Sequence, residues 1–102
     1  MIEILYFDGC PNHEGLESRI RSLLAAAGIE ETVTHRRIDS DEEARAAHFL
    51  GSPTVRINGV DVERDAIGRD AYGLMCRMYV TDDGLRGTPP DQWIINALKA
   101  SS

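Results

Sequence analysis

The chain has 102 residues, of which 42% are hydrophobic and 27% are charged. This length and composition predict one globular domain, residues 1–102, and exclude a disordered or collagen-like chain. The formal net charge is −6 and no apolar run approaches the ~18 residues of a membrane span, so we expect neither nucleic-acid binding nor membrane insertion.

The first third of the chain predicts a strand followed by a helix. Residues 2–7 are mostly β-branched, aromatic or aliphatic, which is typical of a buried strand, and Asp8-Gly9 is a turn signal. The helix that follows is expected to end at Gly28. Its apolar face repeats with helical spacing at Leu16, Ile20, Leu23, Leu24 and Ala27.

The middle of the chain predicts an edge strand, a short helix and a hairpin. Residues 32–38 are polar enough for a sheet edge. Ser40 with Glu43 forms a capping box that opens a helix running to about Phe49 and ended by Gly51. Its inward-facing residues are Ala44 and Ala47. Two alternating strands then join through Asn58-Gly59, a strong hairpin signal.

The predicted element order is β-α-β-α-β-β-α. The first two strands are expected to be parallel, with a right-handed crossover. About 25 residues, 64–88, are inserted before the last helix, and we expect part of them, residues 76–81, to form an added strand. Thr88-Pro89-Pro90-Asp91 starts the last helix. Its expected buried residues are Trp93, Ile94, Ala97 and Leu98.

Two cysteines are too few for a secreted disulfide scaffold, and the N-terminal residues lack the basic region of a signal peptide. We therefore expect reduced thiols in the cytoplasm. Cys10 follows the first strand and is expected to cap the next helix, with Pro11 as its first residue. The helix dipole would favour the thiolate there, and partial exposure is expected. The alternative is a small apolar residue in a turn.

Cys10-Pro11 at the first strand-helix junction and Ser52-Pro53-Thr54 opening the third strand resemble the thioredoxin-like superfamily, in its glutaredoxin-like branch. The resemblance covers residues 1–62 and the last helix. It implies a thioredoxin-like α/β fold with a four-stranded mixed sheet and helices on both faces. It further implies that Pro53 is cis and lies beside a nucleophilic Cys10, and that the backbone of Ser52 pairs with a bound thiol peptide.

The chain departs from that family at the second cysteine of Cys-x-x-Cys, which is replaced by His13. His13 either stabilises the Cys10 thiolate and passes a proton, or is a solvated residue of the first helical turn. His35 and His48 are expected at the surface.

Cys76 lies in the insertion, which leaves the sheet at the end where Pro53 meets Cys10. The twelve residues from Arg64 to Cys76, at up to ~3.3 Å each, are long enough to bring the two thiols together. The other reading is a thiol buried under the insertion.

If the thiols meet, three chemistries follow. They can form a disulfide, bind a soft ion such as Hg(II), Cu(I) or Zn(II), or, with Asp8 as proton donor, cleave a carbon–mercury bond as organomercurial lyases do. Asp8 more simply stabilises its turn. Asp82-Asp83-Gly84 is expected to be a turn, because the other ligands of a calcium loop are missing.

The first hypothesis is therefore an atypical thiol-disulfide oxidoreductase. Cys10 is the attacking thiolate, His13 its helper, and Cys76 or an external thiol such as glutathione resolves the mixed disulfide. Its partner is a substrate protein or small molecule with a thiol or disulfide, bound at Pro11, Ser52, Pro53 and Thr54. No tightly bound cofactor or structural metal site is expected, and oligomeric state is not predicted. The alternatives are a soft-metal or mercury-processing protein using Cys10 and Cys76, and a non-catalytic binding module.

Overall fold

The first strand, β1 (Ile2–Tyr6), buries apolar side chains on both of its faces, and it lies in the middle of the sheet. The structure is a computed structural model that describes residues 1–66 and 68–100. Residue 67 of the predicted insertion and residues 101–102 of the predicted domain lie outside that range. Alternate β1 side chains point to opposite faces, as a strand requires. Ile4 joins the core on one face and Leu5 joins the core on the other.

The main sheet has four strands in the order β2-β1-β3-β4, where β2 is Val33–Arg37, β3 is Thr54–Ile57 and β4 is Val60–Asp61. β2 is parallel to β1, whereas β3 is antiparallel to both β1 and β4. The predicted mixed sheet, the edge position of β2 and the hairpin are confirmed. Asn58 and Gly59 both have positive φ, as a tight two-residue turn requires.

Helices cover both faces of this sheet. α1 (Leu16–Ala27) and α3 (Asp91–Ala100) pack on the face that carries Ile2 and Ile4, while α2 (Asp41–Ala47) packs on the face that carries Leu5. Residues 1–66 and 68–100 therefore form a mixed α/β structure with three helices. No helix in the described part of the chain is long and apolar enough to cross a membrane.

Helix ends are where the sequence-based expectations were partly wrong. Gly28 ends α1 in the left-handed conformation, and Ser40 caps α2 through its hydroxyl, as predicted. However, α2 ends at Ala47, because His48 adopts the left-handed cap expected of Gly51. Ala27 was expected in the core but is exposed.

The insertion is folded, but not into the main sheet. It begins with a short 3-10 turn (Arg64–Ala66) and contains a separate hairpin of β5 (Tyr79–Thr81) and β6 (Gly84–Arg86). The turn between these two strands, at residues 82–84, was predicted from the sequence. The expected strand over 76–81 was too long, because regular pairing starts only at Tyr79. Upstream of it, residues 75–77 lie against Ser52 through an isolated bridge.

Candidate thiol site

Cys10 closes the turn that follows β1, and its side chain is fully buried. Its backbone N–H donates to the carbonyl of Phe7 across the Asp8-Gly9 turn (3.3 Å), and its thiol donates to the carbonyl of Ser52 (3.5 Å). Two expectations were wrong here. Cys10 is not partly exposed, and it precedes only a three-residue 3-10 turn (Pro11–His13), since α1 begins at Leu16. The dipole of a long helix therefore does not act on this thiol.

The loop before β3 places a backbone carbonyl next to Cys10. The Ser52–Pro53 peptide bond is cis, as the resemblance implied. The hydroxyl of Thr54 donates to the carbonyl of Gly51 (2.7 Å) and closes the loop on itself. Ser52, Pro53 and Thr54 are all buried, so this loop is a fixed part of the sheet's end rather than a solvent-exposed edge.

The backbone of Ser52 is already paired with the insertion. The Ser52 N–H donates to the carbonyl of Met75 (2.8 Å), and the Arg77 N–H donates to the carbonyl of Ser52 (2.9 Å). These two bonds place Cys76 beside Ser52 as a parallel bridge partner. The edge expected to receive a thiol peptide is thus occupied by residues 75–77 of the same chain, hereafter the docked segment.

The two thiols meet at this bridge. The Cys10 thiol donates to the carbonyl of Ser52, and Cys76 is the bridge partner of that same residue. The neighbouring Cys10 thiol, together with slight burial, raises the pKa of the Cys76 thiol. Both cysteines are free thiols, Cys10 buried and Cys76 exposed. Of the two readings that the sequence left open, the structure places Cys76 beside the Ser52 carbonyl that Cys10 contacts, and a thiol buried under the insertion is excluded.

The other predicted site residues lie to one side of the thiol pair. The ring of His13 packs on Tyr6, with ring centroids 4.3 Å apart, and among the described residues no hydrogen bond links His13 to Cys10. Pro11 is exposed at the start of the 3-10 turn. Asp8 is exposed and pairs with Arg37 at 3.5 Å, which fits its simpler role in the turn better than proton donation to a thiol.

Beneath the docked segment lies a cluster of charges that sequence reasoning missed. Arg77 is buried and its guanidinium donates to both carboxylate oxygens of Asp61 (2.8 and 3.1 Å), to Glu63 (2.8 Å) and to the hydroxyl of Thr54 (3.0 Å). It also lies 4.5 Å from the ring centre of Tyr79. Burial disfavours the cation, but the bonds to the carboxylates outweigh it and raise the pKa of Arg77.

Two further contacts extend the cluster. Arg69 makes a two-point ion pair with Glu63 (2.9 and 3.2 Å), and the hydroxyl of Tyr79 donates to the carbonyl of Pro53 (2.6 Å). Hydropathy gave no signal for this cluster, because Arg77 is buried while the less polar Cys76 and Met78 are exposed. The structure shows Arg77 and Tyr79 on the buried side of one extended stretch and Cys76 and Met78 on its exposed side.

The thiol pair offers at most two protein ligands to a metal ion. In residues 1–66 and 68–100, no three side chains of His, Cys, Asp or Glu cluster as a metal site would require. Comparisons of the chain with protein-family models, with curated protein sequences and with solved structures find no match.

Proposed function

We propose that this chain is a thioredoxin-like thiol-disulfide oxidoreductase in which Cys10 and Cys76 cycle between dithiol and disulfide. The observation that carries the proposal is that both cysteines meet at Ser52, whose carbonyl accepts from the Cys10 thiol at 3.5 Å and whose bridge partner is Cys76. The resemblance of the Cys10-Pro11 and Ser52-Pro53-Thr54 segments to the thioredoxin-like superfamily supports the same reading.

The proposed reaction reduces an external disulfide of a protein or small thiol. The Cys10 thiolate attacks one sulfur of that disulfide, forms a mixed disulfide and releases the first thiolate product. The Cys76 thiol then loses its proton and attacks Cys10, forming the Cys10–Cys76 disulfide and releasing the second product. Two electrons pass to the substrate, whose two thiolates take up the proton of Cys76 and a proton from solvent. Two molecules of an external thiol such as glutathione then reduce the internal disulfide and leave joined as their own disulfide.

The resemblance and the position of each cysteine assign the roles within the pair. Cys10, which the resemblance makes the nucleophile, attacks first, and Cys76, whose pKa is raised beside Cys10, keeps its proton until the second step. Because Cys10 is buried, it meets a substrate only when the docked segment moves aside. His13 packs on Tyr6 and is left out of this assignment.

Single substitutions test the proposal. The wild type, Cys10→Ser and Cys76→Ser are mixed with oxidised glutathione, and disulfide exchange is followed by mass spectrometry of samples quenched at set times. We expect Cys10→Ser to abolish exchange and Cys76→Ser to accumulate a stable mixed disulfide on Cys10. Full exchange activity in Cys10→Ser would overturn the proposal.

A second candidate is a soft-metal binder. The pair of adjacent thiols, without a third ligand in the described residues, suits an ion that accepts two thiolates, such as Hg(II) or Cu(I), and does not suit the four ligands of structural zinc. This candidate predicts one ion bound per chain in competition with a thiol chelator. Binding that persists unchanged in Cys76→Ser would exclude it.

A further inference from the structure

The docked segment continues outward as an alternating strand with one buried face and one exposed face. Arg77 and Tyr79 point inward and are buried, whereas Cys76, Met78 and Val80 are exposed. The buried face rests on the cis-proline loop and on the carboxylates of β4 and its end, and the ring of Tyr79 also meets the tryptophan ring of α3 edge-on, with centroids 6.0 Å apart.

Arg77 supplies most of the side-chain contacts between this segment and the body of the protein. Its guanidinium reaches three residues of the β3–β4 hairpin region, Thr54, Asp61 and Glu63, while its N–H pairs with Ser52. It is the residue next to Cys76 in sequence. Any shift of the Arg77 backbone therefore moves Cys76 relative to Cys10.

The approach of the segment to the loop is close. A side chain at Gly51 would begin 3.0 Å from Cβ of Arg77 and 3.1 Å from the carbonyl oxygen of Met75, inside ordinary van der Waals distance. The position of Cys76 beside Ser52 therefore depends on this close backbone contact, which the hydrogen bonds and ion pairs of the Arg77 side chain stabilise.

We propose that Arg77 is a positioning residue, whose ion pairs with Asp61 and Glu63 hold Cys76 against Cys10 and close Cys10 off from solvent. The claim that Arg77 limits access to Cys10 rests on the geometry of its contacts. The claim that Arg77 stabilises the Cys10–Cys76 disulfide rests on the proposed function. Weakening these ion pairs raises the fraction of molecules in which the docked segment has left Ser52. In that open form Cys10 is reachable and Cys76 is distant.

Access to Cys10 is measured in a Cys76→Ser background, where Cys10 is the only thiol. The probe is iodoacetamide, and the rate of Cys10 alkylation reports the open fraction when closing is faster than the chemistry. In that background we expect Arg77→Met to raise the rate by on the order of tenfold or more, and Arg77→Lys, which keeps the charge without the two-point geometry, to raise it less.

Arg19→Met is the matched control. Arg19 is also a partly buried arginine, with an ion pair to Asp91 and a hydrogen bond to Thr88, but it does not touch the docked segment. We expect it to leave the alkylation rate within about twofold of its parent, because opening at Ser52 is unaffected. Equal acceleration by Arg19→Met and Arg77→Met would overturn the inference.

Glu63→Gln keeps the test valid if Arg77→Met does not fold. It removes one ion pair of Arg77 and preserves the shape of the side chain. A rate for Glu63→Gln equal to that of its parent, with the protein folded by circular dichroism, would also overturn the inference.

The redox readout separates this inference from the proposed function. Proteins with both cysteines are equilibrated in buffers of reduced and oxidised glutathione, and the internal disulfide is quantified. The two protein thiols lose two protons and two electrons to oxidised glutathione, which yields two molecules of reduced glutathione. We expect Arg77→Lys to destabilise the disulfide by about tenfold in the equilibrium constant, or ~30 mV, with Arg19→Met unchanged.

Failure of the wild type to form the disulfide at all would contradict the proposed function, while the alkylation result would still test Arg77. If the wild type forms the disulfide, and Arg77→Lys and Arg77→Met form it with the same equilibrium constant as the wild type, the positioning role is contradicted and the proposed function stands.

Discussion

The sheet and the docked segment are held together by different forces. The sheet lies between two apolar clusters, one under α1 and α3 and one under α2, whose buried members are nearly all aliphatic or aromatic. The docked segment is held by two backbone hydrogen bonds to Ser52 and by the ion pairs of Arg77. One region depends on burial of apolar surface, and the other depends on paired charge.

This difference separates the two thiols by stability. Cys10 directly follows β1, the central strand, and is expected to keep its place until the domain unfolds. Cys76 is exposed and belongs to the docked segment, which hydrogen bonds and ion pairs hold to the body, so we expect this segment to open at lower cost. A protein built in this way can change the distance between two thiols without unfolding its core.

The largest effect is expected in the apolar region. Ile4 is fully buried at the centre of the sheet, so Ile4→Ala is expected to lower the free energy of unfolding by about 2–5 kcal/mol. The measurement is urea denaturation, and Val60→Ala, at an exposed position of β4, is the control. A loss below about 1 kcal/mol for Ile4→Ala would contradict the apolar account of the sheet.

The next effect is expected where the two regions touch. Gly51 has φ +120 and lies against the docked segment. Gly51→Ala is therefore expected to lower the free energy of unfolding by about 1–3 kcal/mol. It is also expected to raise the alkylation rate of Cys10. Gly28→Ala is the matched control, because Gly28 also has positive φ but a side chain there meets nothing within 4 Å. If Gly28→Ala exposed Cys10 as much as Gly51→Ala, backbone strain rather than contact with the segment would be responsible.

A smaller effect is expected for the buried hydroxyl of Tyr79, the first residue of β5, which follows the docked segment. Tyr79→Phe removes the hydrogen bond to the carbonyl of Pro53 and is expected to cost about 1 kcal/mol. Tyr72→Phe is the control, since the Tyr72 ring stacks on His48 and its hydroxyl makes no hydrogen bond among the described residues. Equal losses of unfolding free energy in the two variants would show that the hydrogen bond to Pro53 does not stabilise the position of β5.

The smallest effect is expected from pH. Burial opposes ionisation of Glu63, but hydrogen bonds from Arg77 and Arg69 outweigh it and lower the pKa of that carboxyl. A lowered pKa in the folded state gives stability that is present above the usual glutamate range and lost as pH falls through the lowered value. Stability measured by urea denaturation from neutral pH downward is therefore expected to fall less in Glu63→Gln than in the wild type. The exposed control Glu42→Gln is expected to follow the wild type, and an identical slope in all three would contradict a contribution from Glu63.

Much of the fold could be predicted because its signals are local. The apolar run of β1, the alternation in β3, the Asn58-Gly59 turn and the Ser40 cap each act within a few residues. The errors arose where tertiary contacts decide. His48 takes a left-handed cap that propensity assigns to glycine, and Cys10 is buried at its contact with Ser52, which is 42 residues later in the chain.

The candidate site was predictable only in part for the same reason. Chain length and the return of the hairpin showed only that Cys76 can reach Cys10, and they left a thiol buried under the insertion as an alternative. Nothing in those arguments could place Arg77 over Asp61, because the ion pair depends on which face of the docked segment turns inward. That face is set by the pairing of Ser52 with residues on both sides of Cys76.

The most direct test of the account is a disulfide map of the wild-type protein after equilibration with oxidised glutathione. Proteolysis without reduction, followed by mass spectrometry, identifies every linked peptide. The juxtaposition of the thiols at Ser52 predicts one internal disulfide, Cys10–Cys76, in place of glutathione adducts. A protein that carries glutathione on Cys76 while Cys10 remains a free thiol would contradict the claim that these two cysteines form one redox site.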